Sequence, residues 1–514
     1  MDSPTAPRPT HQQRAIVVAT PDAAPAVVAA LRASRGAPEP VGVVLIGDAT
    51  GARAVQGIRV LGGAHDLARV VADTAFDTAL VCIPYARREA AAYVHPLLAS
   101  LGVTVRTVPC VLDALRGVGP RVGGPLTAAD LAGLVGRDAR TPDADLLGRV
   151  LRGKRVLITG AGGSIGAELA RLAADHEPSL LALMDRSENA LFEIDRELGA
   201  RSPNLARRML LHDVVEAAGT KRLIGQVRPD VVFHAAAHKH VPMMEDHPGH
   251  AVTNNLFGTR AVAEAAIAAG AERFVLISTD KAVHPSSVMG ATKRLAELYV
   301  QSLRGARSTR CVAVRFGNVL GSACSVLPIW TRQIEEGGPV TVTDPRMTRY
   351  FMTIPEAAAL VVQAAALDAS EAGGADVFVL NMGDPVRIYD LAERFIRLRG
   401  FRPVLLGEQA EPGSAPPVDT GLMGVVVTGA RPGEKLHEEL AYEAEELRPT
   451  PIDGVMAWRS PRDAFDAQAM LADLDSARTA PDRETVLEAI TRWTPGFGRA
   501  AVCTGSERVL TRAG

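Results

Sequence analysis

The chain has 514 residues, 47% of them apolar, with 56 basic against 58 acidic side chains and a formal net charge of −2. That length allows about two or three domains, and the near-neutral charge excludes electrostatic capture of nucleic acid or an anionic membrane. No run reaches the ~18 consecutive apolar residues that a membrane span requires.

Residues 1–13, rich in Pro and Thr, read as a disordered tail. No basic stretch leads into an apolar core there, so no secretory signal is expected. Residues 14–117 alternate short apolar strands (Ala15–Ala19, Val41–Ile46, Thr78–Ile83, Val103–Val108) with Ala-rich helical stretches, an α/β pattern. The first strand runs into Thr20-Pro21-Asp22-Ala23-Ala24-Pro25 rather than a glycine turn, so a degenerate Rossmann-like domain is expected. A connector over 118–152, a large domain over 153–497 and a tail over 498–514 complete the division. Five cysteines (Cys82, Cys110, Cys311, Cys324, Cys503), odd in number and without a C-x-x-C pair, argue for reduced thiols and a cytoplasmic location. Only six basic residues are lysines, and Lys239, Lys281, Lys293 and Lys435 all fall in the motifs below. A chain that defaults to arginine should keep lysine where a compact amine able to lose its proton is needed.

The large domain opens with Val156-Leu157-Ile158, a short β-branched run that reads as a buried parallel strand. Thr159-Gly160-Ala161-Gly162-Gly163-Ser164-Ile165-Gly166 follows, and then a helical period. Glycines at such a joint let the backbone approach a pyrophosphate on the helix N-terminus. Read as G-x-G-x-x-G the pattern fails at Ile165; read as G-x-x-G-x-x-G it fits Gly160, Gly163 and Gly166. The wider spacing resembles the extended short-chain dehydrogenase/reductase fold. A second apolar run, Leu180 to Met184, ends in Asp185, about 20 residues past the turn, where a carboxylate accepts from an adenosine ribose hydroxyl. NAD is the expected cofactor, and Arg186 keeps NADP as the alternative. Gly160, Gly162, Gly163, Ser164, Ile165, Gly166, Asp185, Arg186, Ser187 and Asp213 are the cofactor candidates on this side.

Val231-Val232-Phe233-His234 is expected as the fourth strand, leading into Ala235-Ala236-Ala237, whose small side chains let the backbone lie close to the cofactor. His238-Lys239-His240 lacks the i, i+4 spacing or thiolate partner of a metal site, so no metal is expected, and Lys239 and His240 become substrate candidates. Asn254-Asn255 lie in an otherwise apolar helix, either as satisfied core amides or facing a ligand; Asn255 is kept as a substrate candidate.

Phe274-Val275-Leu276-Ile277-Ser278 is the fifth strand, with Thr279, Asp280 and Lys281 at its C-terminal end, where ligands bind in open α/β sheets. Met289 and Lys293, four apart, share a face of the next helix. Dehydrogenases of this pattern hold a tyrosine and a lysine there; the lysine binds nicotinamide ribose. Methionine cannot carry a proton. Arg431 and Glu434 suit a nucleoside diphosphate, guanidinium on phosphate and carboxylate on ribose, with Asn318, Gln333 and Arg349 as further candidates.

Five segments then look like bacterial UDP-N-acetylglucosamine 4,6-dehydratases of the polysaccharide-biosynthesis branch: Thr279–Val283, Met289–Lys293, Arg315–Ser322, Thr348–Ile354 and Arg431–Lys435. The resemblance spans roughly residues 145–497, and methionine in the tyrosine place marks its configuration-retaining members. Ala323-Cys324 departs from the family's usual pair, and the transmembrane helices of its anchored members are not present. The resemblance implies an N-terminal Rossmann-like domain, an NAD-binding Rossmann domain with a smaller substrate lobe, a UDP-sugar substrate and a homo-oligomer. It implies Lys281 as the base at sugar C5 and Asp280 as the acid, and this requires a large fall in the Lys281 pKa from ~10.4. Asp280, assisted by Thr279, is then also the expected acceptor of the C4 hydroxyl proton. A sugar-nucleotide epimerase and a non-catalytic nucleotide-sugar sensor are the competing readings.

Overall fold

A computed structural model describes residues 13–497 apart from 35, 48–52, 85–86, 88–89, 91–92, 95–96, 99, 109, 111–125, 127, 138, 306–307, 369, 409–420, 443–444 and 460–464. The expected tails therefore lie outside the described residues, save Gln13. Two compact units form, one from residues up to 125 with 330–341 and 392–427, the other from 126–329, 342–391 and 428 onward.

The first unit carries a six-stranded sheet in the order Ala54–Val55, Ile58–Gly63, Glu39–Leu45, Arg14–Ala19, Thr78–Cys82, Thr104–Thr107, parallel except for the first pair. Alternate residues of Arg14–Ala19 enter opposite cores, Ile16 and Val18 on one face and Val17 and Ala19 on the other. The strand leads through a Pro21–Ala23 turn without glycine into the helix Ala24–Ala33.

The second unit is built on a nine-stranded sheet. Its strands are β1 (Arg155–Thr159), β2 (Leu180–Asp185), β3 (Arg207–Leu211), β4 (Val231–His234), β5 (Arg273–Ile277), β6 (Arg310–Arg315), β7 (Val377–Leu380), β8 (Arg448–Pro449) and β9 (Val455–Trp458). The order is β3-β2-β1-β4-β5-β6-β7-β9-β8, parallel through β7, with β9 antiparallel. The chain thus reverses direction across the sheet between β1 and β4, the switch point at which open α/β sheets open a crevice. Helices α1 (Ser164–Ala174), α2 (Glu188–Arg201), α3 (Ala217–Val227), α4 (Gly258–Ala269), α5 (Val288–Ser302) and α6 (Ile354–Ala366) cover the two faces. Val156 and Ile158 of β1 enter the core beneath α1 and α6; Leu157 enters the core beneath α4 and α5. This α/β architecture of parallel Rossmann-like sheets is the expected class. The stretch expected as a connector carries helices at Ala128–Val135 and Ala144–Leu151, and the second buries Leu147, Val150 and Leu151 in the core.

His234 ends β4 fully buried. Its Nδ1 lies 2.7 Å from Thr159 Oγ1 and its Nε2 3.0 Å from Thr259 Oγ1. The Thr259 hydroxyl donates to the Asn255 carbonyl at 2.6 Å, so its oxygen is left to accept from Nε2–H, and Nδ1 accepts from Thr159. Burial, reinforced by Lys293, pushes His234 down to about 3. The unfolded chain therefore binds more protons than the folded one between pH ~6.5 and about 3. Stability present above pH ~6.5 should fall by about 1.4 kcal/mol per unit across that window. Urea unfolding at neutral and acid pH measures this, and His234→Gln should flatten the slope.

Candidate active site

The glycine turn begins where β1 ends. Gly160 has φ +68°, and a Cβ added there would lie 2.6 Å from Ala236 N and 2.7 Å from the Ala235 carbonyl carbon. Gly166, in the first turn of α1, lies so close to the Gly160 carbonyl that no side chain fits between them. Asp185, ending β2, accepts from Gly162 N–H and Ser187 N–H at 2.9 Å each, which ties the turn to the start of α2. Ser187 caps α2 by accepting from Ala190 N–H.

Over this turn lies a cavity of ≈ 260 Å³ lined by Gly160, Gly162, Gly163, Asp185, Arg186, Ser187, Asp213 and Ala235–Ala237, all cofactor candidates. Met184, Ala190, His212, Val214, His238 and Asn254 also line it and were not among them. The bare backbone of Gly160 and Gly162, a helix N-terminus and the Asp185 carboxylate fit a dinucleotide's pyrophosphate and ribose. Arg186 faces Asp213 at 3.7 Å. Ser164, Ile165 and Gly166 do not line the cavity; Ser164 Oγ accepts from Ala323 N–H at 3.0 Å, and Ile165 packs on the core. Gly160→Ala should cost about 1–3 kcal/mol of backbone strain and weaken dinucleotide binding, read by calorimetric titration beside a melting curve.

Asn254 and Asn255 sit in a stretch, Val252–Phe257, wound as a π-helix that runs directly into α4. Such widened turns shift side-chain phase and gather at functional sites. Asn254 reaches the cavity. Asn255 is fully buried, accepting from His238 N–H at 2.8 Å and donating to the His238 carbonyl and to Thr292 Oγ1. It therefore fixes the His238 backbone.

Beyond β5, Thr279 opens a single 3-10 turn over Asp280–Ala282. Asp280 is wholly buried; its Oδ1 accepts from Thr279 Oγ1 and from Lys281 Nζ, each at 2.9 Å, while its Oδ2 is buried without a partner among the described residues. Lys281 Nζ also donates to Asn318 Oδ1 at 3.1 Å and lies 3.7 Å from Glu438 Oε1. Burial pulls the Lys281 pKa down, but the Asp280 and Glu438 carboxylates outweigh it, and the net direction is up. The large fall expected from the sequence is thus corrected: the two carboxylates hold this amine charged. Lys293 does shift down, to about 8, through burial opposed by Glu297, and its Nζ donates to the Ile277 carbonyl at 2.6 Å. Met289 is buried in the core at the start of α5.

A second cavity, ≈ 190 Å³, brings Lys281 together with the candidates Asn318, Arg349, Arg431 and Glu434, and with Glu438, Ser286, Ser287 and Gly433, which were not candidates. Arg431 pairs with Glu434 at 2.8 Å, and Arg349 donates to the Lys435 and Leu436 carbonyls. Lys239, His240 and Gln333 do not line it. Lys239 Nζ donates to the Ala323 carbonyl at 2.6 Å, and Gln333 is bound to Thr341 by both ends of its amide. Burial lowers the pKa of His240.

The segment after Arg431 is stitched to the Asp280–Ala282 turn. Lys435 Nζ donates to the Val283 carbonyl at 2.9 Å, the Tyr442 hydroxyl to the Ala282 carbonyl at 3.0 Å, and Ser286 Oγ to the Gly433 carbonyl at 2.9 Å. Behind the turn, Arg315 is fully buried between Glu297, with bonds of 2.8 Å to both oxygens, and Glu445, at 2.6 and 3.1 Å; Ser278 Oγ donates to Glu297 at 2.7 Å.

Residues 156–460 match the model of a family described as polysaccharide biosynthesis protein. The chain is 42% identical over 395 residues to the probable polysaccharide biosynthesis protein EpsC of Bacillus subtilis, covering 76% of this chain and 62% of that one. It therefore spans about three-fifths of that relative's length. It is 30% identical over 306 residues to a UDP-N-acetylglucosamine 4,6-dehydratase (inverting) of Campylobacter jejuni, covering 57% of this chain and 81% of that one. The solved structure of Pen from Bacillus thuringiensis is similar with a TM-score of 0.53 and 32% identity, covering 61% of this chain and 90% of that one.

Proposed function

The chain belongs to the polysaccharide biosynthesis protein family, and we propose that within it the protein dehydrates UDP-N-acetylglucosamine to a UDP-4-keto-6-deoxy sugar, with NAD held over the glycine turn. The observation that carries this reading is the buried Asp280–Lys281 pair, 2.9 Å apart, whose Lys281 lines a cavity together with Arg431 and Glu434. The Campylobacter relative, an inverting UDP-N-acetylglucosamine 4,6-dehydratase by name, supports the substrate and the reaction. Met289 in the tyrosine place favours retention of configuration.

A nicotinamide bound beside Ala235–Ala237 would supply a hydride acceptor for sugar C4 and a hydride donor for C6. The chain's own residues handle the protons. Arg431 pairs with the diphosphate and Glu434 accepts from the ribose, which hold the hexose against Lys281. The Lys281 ammonium passes a proton to Asp280 Oδ1 along their hydrogen bond, leaving an amine and a carboxylic acid. The amine takes the C5 proton, acidified by the C4 ketone, and Asp280 protonates the departing C6 oxygen. The resting charge on Lys281 is thus the reservoir from which the acid is loaded. The protein is expected to act in the cytoplasm as a homo-oligomer. Among the described residues no helix is long and apolar enough to cross a membrane.

Mass spectrometry of UDP-N-acetylglucosamine incubated with the protein tests the assignment. Loss of one water is the expected result. An unchanged mass with an altered NMR spectrum would mean epimerisation, and an unchanged sugar would mean a binding protein.

A further inference from the structure

The reaction proposed above leaves one proton without an acceptor, that of the C4 hydroxyl, because Met289 cannot take it. Asp280 is engaged otherwise. Its Oδ1 accepts from Thr279 and Lys281 and is the atom that receives the Lys281 proton for the C6 step, and its Oδ2 faces Gly317, where an added Cβ would lie 3.0 Å away. Lys293 is bound to the Ile277 carbonyl, and the Tyr442 hydroxyl to the Ala282 carbonyl.

Two carboxylates line the cavity, Glu434 and Glu438. Glu434 is paired, accepting from Arg431 through both oxygens. Glu438 is different. Its side chain is 4% exposed, its Oε1 stands 3.7 Å from Lys281 Nζ and 3.9 Å from Arg349, and its Oε2 is buried with no hydrogen-bond partner among the described residues. A buried carboxylate oxygen that accepts nothing carries an unmet desolvation cost, which a donor entering the cavity would relieve.

We propose, on the dehydratase reading, that Glu438 is the catalytic base that takes the C4 hydroxyl proton in the place that tyrosine fills in related enzymes. The O–H bond of the sugar breaks and an O–H bond forms on Glu438, the C4 hydrogen leaving as the hydride that a bound nicotinamide would accept. Glu438 is then neutral, and one of the two carboxylates that held Lys281 charged is gone. This favours the transfer of the Lys281 proton to Asp280. After elimination of water and return of hydride to C6, Lys281 returns its proton to C5. Glu438 then passes its own across 3.7 Å to Lys281. The proton taken from C4 thus replaces the one lost in water, and the enzyme ends in its starting charge state.

The test is single-turnover absorbance of the reduced nicotinamide with UDP-N-acetylglucosamine, in wild type, Glu438→Gln and Asp280→Asn, beside UDP titration calorimetry. Asp280→Asn should accumulate reduced nicotinamide, since oxidation precedes its step. Glu438→Gln should reduce it about 10²–10⁴-fold more slowly, with wild-type affinity for UDP. Reduction at the wild-type rate in Glu438→Gln would overturn the assignment. This readout separates the two proposals: a wild type that reduces nicotinamide yet releases no water refutes dehydration while still testing Glu438, and one that neither reduces nicotinamide nor releases water refutes both. If Glu438→Gln fails to fold, Glu438→Asp is read instead. It should recover part of the rate, and no recovery with UDP affinity intact would count against the role.

Discussion

Asp280→Asn should lower turnover by about 10²–10⁴-fold while leaving the fold and cofactor affinity as they are. The substitution keeps the shape of the side chain, and an amide oxygen can still accept from Thr279 and Lys281, as Oδ1 does at 2.9 Å. It cannot receive a proton from Lys281 or give one to a leaving hydroxyl. The buried Oδ2, with no partner among the described residues, becomes an amide nitrogen whose hydrogens have no acceptor beside Gly317. Some stability is therefore lost as well, on the order of 1–3 kcal/mol. Product formation followed by mass spectrometry, alongside NAD titration and circular dichroism, checks the three parts. Full turnover in this variant would remove Asp280 from the chemistry.

Arg315→Met should destabilise the protein by about 3–5 kcal/mol, the cost of leaving a buried charge uncompensated. Arg315 has no exposed surface and is the shared partner of Glu297 and Glu445. Burial pushes Glu297 up, but the Arg315 guanidinium outweighs it and holds the carboxyl at about 2. Because that carboxyl is depressed from 4.5, its contribution is complete above pH 4.5 and is lost as pH falls through about 2. Without Arg315, Glu297 is left with Arg294 and Ser278, Glu445 with the Tyr442 N–H, and Ser278 loses a fixed acceptor directly before the Asp280–Ala282 turn. Urea unfolding measures the loss. A triple variant that also carries Glu297→Leu and Glu445→Leu should recover much of it, because an apolar core of similar volume removes the orphaned charges. A loss no larger than that of a surface arginine would mean that the network contributes little.

The parts of the site legible in the sequence are those fixed by neighbours along the chain. The glycine turn, Asp185 and the Asp280–Lys281 pair each sit at the C-terminal end of a strand whose apolar run and register give its position. What escaped depends on contacts between distant segments. Glu438 reaches Lys281 from 157 positions away, and nothing local in Leu436-His437-Glu438 sets it apart from the glutamates around it. The two asparagines were placed on one regular helix; the π-turn gives Asn254 to the cavity and Asn255 to the His238 backbone, a phase change no period of 3.6 announces. Of the lysines that the sequence singled out, Lys239, Lys293 and Lys435 donate to backbone carbonyls, where a slim amine reaches a single oxygen, whereas Lys281 meets the Asp280 carboxylate.

The stitches from Lys435, Tyr442 and Ser286 join the loop that would grip the nucleotide to the turn that carries the amine. Uridine, although remote from the bonds that change, would therefore act as a handle: its capture sets the posture of the reacting end. A hexosamine phosphate stripped of its nucleoside should then suffer in maximal velocity as well as in affinity, since binding energy from a distant moiety is what aligns the chemistry. Adding free UDP back should not restore the speed, because the handle works only while it is attached.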